Sequence, residues 1–132
     1  CLRVGYHCVV VDTASGVAGY GVLSMGAGEA HILNLCIADD WRRRGIASRL
    51  MALADNHIAA TFELGALSTD LHGVYARIGW ERWRGPTYVR TDDGPVRTED
   101  EDEGIMILRT SRTPTLTGTE ALSCEWRAGD AW

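Results

Sequence analysis

Apolar positions along the chain follow two different periods. His7–Asp12 is a β-branched run with strand character. Thr13-Ala14-Ser15-Gly16 is a turn cluster, and Val17–Met25 reads as a second strand, so the two form a hairpin. After the Gly26-Ala27-Gly28 turn, His31–Ile37 is almost continuously apolar and reads as a central strand. The period then changes. From Arg42 to about Ala60 the apolar residues Ile46, Leu50, Leu53/Ala54 and His57/Ile58 recur at helical spacing, with Asp39 and Asp40 able to cap the start. Phe62–Leu67 is a fourth strand, and Leu71–Arg77 a short helix stopped by Gly79. Trp80–Trp83 and Thr87–Thr91 are extended segments around Gly85-Pro86, and Asp92-Asp93-Gly94-Pro95 is a turn. Ile105–Leu108 is the last clear strand, and Pro114–Gly118 is loop-like. The order β-β-β-α-β-α-β-β predicts an α/β (α+β) domain with a mixed, mostly antiparallel sheet flanked by helices. The crossover from His31–Ile37 through the helix to Phe62–Leu67 suits a parallel pair.

Composition narrows the chemistry. The 132 residues suit one domain and one core. The net charge is −5, the wrong sign for a general nucleic-acid binder. All 13 basic residues are arginine. Without lysine, Schiff-base chemistry and a Walker P-loop are excluded. No apolar run approaches the roughly 20 residues that span a bilayer. The four histidines and four cysteines show no metal-ligand spacing. Cys8 and Cys36 lie in apolar strands and read as buried free thiols in a reducing cytoplasm. No metal and no membrane are expected.

The densest signal is Asp39-Asp40-Trp41-Arg42-Arg43-Arg44-Gly45-Ile46-Ala47-Ser48. Three arginines in the first turn of a helix oppose the macrodipole. An anion bound by the free N–H groups of that turn removes the conflict, with Gly45 allowing close approach and Ala47 keeping the approach narrow. A solvated basic turn offset by Asp39 and Asp40 is the alternative.

These residues, with the strand order, resemble the acetyl-CoA pyrophosphate loop of the GCN5-related N-acetyltransferases. The resemblance implies acetyl-CoA as cosubstrate. Backbone groups around Cys36 and Ile37 would pair with the pantetheine arm, and amides of Arg43 through Ser48 would hold the pyrophosphate. Arg42, Arg43, Arg44, Gly45, Ile46, Ala47 and Ser48 are thus the expected cofactor residues. Tyr75 falls where many such enzymes place the acid that protonates the leaving thiolate.

From Phe62 onward the chain is similar to a narrower group. Leu64–Ser68, Val74–Trp80, Trp83–Thr87, Arg97-Thr98 and the ending Cys124-Glu125-Trp126-Arg127-Ala128-Gly129-Asp130-Ala131-Trp132 resemble aminoglycoside 2′-N-acetyltransferases. This implies a cationic small-molecule amine acceptor, with Ser68, Asp102, Asp130 and the carboxylate of Trp132 in its site. Trp80, Trp83, Trp126 and Trp132 would pack the last segment against the sheet. Asp92–Glu103 carries seven carboxylates in twelve residues, read either as part of that site or as a solvated loop. The first half differs. Gly19–Ser24 and Glu29–Ile37 resemble ribosomal-protein alanine N-acetyltransferases, which makes an N-terminal peptide acceptor one alternative; a catalytically weak acetyl-CoA-binding fragment is the other. Each family places a catalytic glutamate on a strand, where this chain offers Leu33 and Asn34, or Glu63 at a strand start; no base is assigned. Both families begin with a strand and one or two helices not seen before Cys1, so the reading is one N-acetyltransferase domain truncated at its N-terminus. The fold class often forms homodimers.

Overall fold

The computed structural model describes residues 5–25, 28–128 and 132. Strands β1 (Gly5–Thr13), β2 (Gly16–Met25) and β3 (Glu29–Ile37) form an antiparallel meander. A single 3₁₀ turn, Asp39–Trp41, leads to α1 (Ile46–Thr61). Then follow β4 (Leu64–Ser68), α2 (His72–Ala76), β5 (Glu81–Arg82), β6 (Thr87–Thr91), β7 (Gly94–Arg97), β8 (Ile105–Arg109) and β9 (Leu122–Glu125). The main sheet has the order β1-β2-β3-β4-β8-β5, and a second sheet has the order β7-β6-β9. β3 and β4 are parallel, as the crossover requires.

α1 lies on one face of the main sheet. Met51, Ala54 and Ile58 pack on Leu23, Ala30, Leu67 and Met106. The opposite face is covered at the β4–β8 end by the second sheet, through Leu64, Ala66, Ile105, Ile107, Val89, Leu122, Cys124 and Trp132. At the β1–β2 end that face carries Tyr6, Val10 and Tyr20, all exposed.

Several sequence expectations need correction. The helix begins at Ile46, four residues later than its periodicity suggests. Arg43 (φ 62°) and Gly45 (φ 74°) are left-handed, which a right-handed helix cannot accommodate. The three arginines therefore occupy the turn before the helix. Asp39 and Asp40 sit in the 3₁₀ turn and do not cap α1. Cys8 and Cys36 are free thiols but exposed, because Val9, Val11, Leu35 and Ile37 take the α1 side of their strands. Trp126 is also exposed, while Trp80, Trp83 and Trp132 are buried. The turn read at Asp92–Pro95 ends at Asp93, and the chain is a strand from Gly94. Pro95 is tolerated because β7 is an edge. Gly26 and Ala27 of the expected turn, Asp130 and Cys1 lie outside the described residues.

Candidate functional site

Between the end of β3 and the start of α1 the chain leaves a groove of about 500 Å³. Cys36, Ile37, Arg42, Arg43, Gly45, Ile46, Ala47 and Ser48 line it, together with Leu35 and Trp41. Arg44 does not. Its guanidinium lies 4.8 Å over the Trp41 ring instead. Arg42 is held by Asp39 at 3.1 Å.

Two backbone features open onto this region. α1 has no side-chain cap and no acidic residue in its first turn. Its first N–H to be satisfied within the helix is that of Arg49, which donates to Gly45 O. The N–H groups of Ile46, Ala47 and Ser48 precede it and gain no partner within the helix. The second feature is β3 itself. Its pairing with β4 ends at Ile32↔Leu67. Beyond that row, Leu33–Ile37 has no strand on the β4 side among the described residues, and Leu33 is the extra residue of a β-bulge against β2. An unpaired strand edge thus runs from the split toward an uncapped helix N-terminus flanked by arginines. That combination fits a diphosphate carrying an extended amide-bearing arm.

Tyr75 sits on α2, half-buried, edge-on to Trp80 with ring centroids 6.5 Å apart. Burial holds its phenol above the ordinary range, which keeps the proton on the oxygen. Of the predicted acceptor residues, Ser68, Asp102 and Trp132 lie elsewhere, around the corner joining β4 to the second sheet. Ser68 Oγ donates to Glu101 at 3.1 Å. Asp102 accepts from Thr87 N (3.0 Å), Thr87 Oγ1 (2.8 Å) and both terminal nitrogens of Arg97. These bonds hold its carboxyl well below the usual range, Arg97 contributing most and Thr87 adding to it. Asp102 is thus engaged in tying β6 to the acidic turn. The Trp132 indole donates to Thr98 Oγ1 at 3.1 Å and lies tilted against the His31 ring, centroids 5.3 Å apart.

A polar cluster beneath the second sheet went unseen in the sequence. Arg90 bridges Glu29 (2.7 Å) and Glu125 (3.0 Å), and Glu29 lies 3.7 Å from the His31 ring. The only sequence signal was one histidine in an apolar strand.

The family model described as "Acetyltransferase (GNAT) domain" matches residues 4–82, more than half of the chain. The chain belongs to the GNAT acetyltransferase family. The aminoglycoside 2′-N-acetyltransferase of Mycolicibacterium fortuitum is 34% identical over 102 residues, covering 74% of this chain and 52% of that protein. The chain therefore spans about half the length of this curated relative. Solved GNAT structures share the fold. An Escherichia coli GNAT family N-acetyltransferase in complex with CoA superposes with TM-score 0.65 at 15% identity, over 88% of this chain and 65% of the other. The E. coli ribosomal-protein-S18-alanine N-acetyltransferase gives 0.58 at 16% identity, over 85% and 72%. Among the described residues no metal-binding cluster is formed, and no helix is long and apolar enough to cross a membrane.

Proposed function

We propose that this GNAT chain transfers an acetyl group from acetyl-CoA to an amine of a cationic small molecule, with the 2′-amine of an aminoglycoside as the acceptor class. The observation that carries the cosubstrate is the uncapped N-terminus of α1 beside Arg42 and Arg43. Free N–H groups of Ile46–Ser48 would hold the pyrophosphate, and the open edge of β3 would pair with the pantetheine amides. Acetyl-CoA supplies an activated thioester. Tyr75 keeps its proton at neutral pH and would deliver it to the leaving sulfur.

The acceptor class is supported by the identity to the aminoglycoside enzyme, which extends well past the family domain. A polycation also suits a corner where Glu101 and Glu103 remain near the surface. The test measures CoA release with an aminoglycoside bearing a free 2′-amine and with a peptide starting in alanine. Turnover on the aminoglycoside supports the reading, and turnover on the peptide alone refutes it. Tyr75→Phe is expected to bind acetyl-CoA normally while turnover falls about 10²–10⁴-fold.

A further inference from the structure

The arginines of the turn before α1 are held in different ways. Arg42 is pinned, with its terminal nitrogen on Asp39 at 3.1 Å and Nε donating to Ile37 O at 3.4 Å. Arg43 lines the groove. Arg44 is turned out of it. Left-handed residues stand on both sides of Arg44, with Arg43 at φ 62° and Gly45 at φ 74°, and its guanidinium lies 4.8 Å over the Trp41 ring. Arg43 is the one non-glycine residue with positive φ among the described residues, a conformation that L-residues rarely adopt. Strained backbone of this kind persists where its surroundings enforce it, often at ligand clamps.

Arg44 is exposed and makes no ion pair among the described residues, although Asp39 and Asp40 are close in sequence. A long charged side chain in water ordinarily spreads over many rotamers. The indole holds this one over its face instead. Trp41 is itself anchored: it is half-buried, packs against Ala18, Ile46 and Leu50, and lines the groove. A planar cation without a carboxylate partner thus stands on a fixed aromatic ring, beside a groove that already fits a diphosphate.

We propose that Arg44, backed by Trp41, is the platform for the nucleoside end of the cosubstrate. The purine stacks on the outer side of the guanidinium, and the 3′-phosphate pairs with its charge. This rests on the acetyl-CoA reading above. On that reading the pantetheine arm runs along Leu33–Ile37 and the diphosphate meets the N–H groups of Ile46–Ser48. The nucleoside then leaves the turn on the side away from the arm. Two chain steps separate Arg44 from Ile46, so their Cα atoms are at most about 7.6 Å apart. The arginine side chain adds its own length to that reach. The nucleoside end offers a flat π-face and a phosphate. A guanidinium recognises the first through its plane and the second through its fork of donors, whereas an ammonium has only the charge. Arg42 is engaged by Asp39 and Ile37, and Arg43 faces the groove, which leaves Arg44 for this role.

The test is calorimetry with CoA and with dephospho-CoA, which lacks only the 3′-phosphate. The proteins are the unsubstituted chain, Arg44→Gln and Arg44→Lys. Thermal melting checks each, and substitution of so exposed a side chain should leave Tm nearly unchanged. The unsubstituted protein should prefer CoA about 3- to 5-fold at low salt, and the preference should shrink as ionic strength rises. Arg44→Gln should abolish the preference and weaken dephospho-CoA about 2- to 5-fold through lost stacking. Arg44→Lys should keep the preference and show the same loss on dephospho-CoA. Unchanged affinities in Arg44→Gln overturn the proposal. Tighter dephospho-CoA binding by Arg44→Gln also overturns it, because Arg44 would then be covering Trp41 against the base. Arg44→Lys matching the unsubstituted protein on both ligands removes the stacking and overturns the platform. Binding of neither ligand by the unsubstituted protein overturns the cosubstrate reading itself, and the platform with it.

Discussion

Replacing Gly45 by glutamate separates the backbone demands of the α1 turn from its electrostatics. Gly45 is left-handed at φ 74°, and a Cβ built on it meets nothing within 4 Å. A side chain is therefore sterically free but conformationally strained. The left-handed region costs an L-residue about 1–2 kcal/mol. Reduced freedom of the unfolded chain returns about 0.4–1 kcal/mol. The net loss is about 1 kcal/mol, or roughly 3–5 °C in Tm for a domain of this size. Gly45→Gln and Gly45→Glu share that cost and differ only in charge. A carboxylate about 6 Å from one phosphate charge, at an effective dielectric near 20, opposes binding by about 3 kcal/mol. Screening in the open groove reduces this, leaving an expected loss of about 10- to 100-fold in acetyl-CoA affinity. Calorimetry on both variants at two ionic strengths measures it. The gap between them should narrow as salt rises. Equal affinities for Gly45→Glu and Gly45→Gln would refute an anion at this turn.

Cys36 lines the groove and Cys8 does not. In a Cys1→Ser background, acetyl-CoA at ten times Kd should slow alkylation of Cys36 about tenfold and leave Cys8 unaffected, as read by peptide mass mapping. Buried Cys124, its thiol pushed up to about 11 chiefly by burial, should react only on unfolding; equal protection of Cys8 and Cys36 would argue against the groove. Acid should also destabilise the fold. The Asp102 carboxyl is depressed by Arg97 and then Thr87, and Glu120 is brought down to about 2 by the backbone N–H groups of Thr117 and then of its own residue and Gly118. Both bind protons more readily when unfolded, so their stabilisation is present above the ordinary carboxylate range and is lost as pH falls toward 2. Melting temperatures from pH 6 to 2 should drop across that window, less steeply in Asp102→Asn/Glu120→Gln, and a flat profile would contradict the assignment.

The parallel β3–β4 crossover and the position of the arginine turn were legible because periodicity and connection length report them directly. The helix start was not, since side-chain spacing says nothing of the left-handed dihedrals at Arg43 and Gly45. The acidic run stayed ambiguous for a related reason. Composition cannot distinguish a solvated carboxylate from Asp102, which is paired with Arg97 five residues earlier. β9 was missed because four residues carry little pattern and its partner β6 is distant in sequence. His31 looked like an interruption in an apolar strand. Only the second sheet, folding over from the far end of the chain, explains its burial.

That folding-over sets an order of events during synthesis. Arg90 meets Glu29 across 61 residues, and Arg127 meets Ser24 across 103. The β1–β2 hairpin and α1 can form from local contacts while the chain is still being made. The corner at His31 closes only after β9 and Trp132 have left the ribosome. Contacts of such long sequence separation form late and slowly. A nascent chain would thus hold the groove between β3 and α1 before the second sheet covers the far face, with Leu64, Ala66 and Ile107 exposed in the interval.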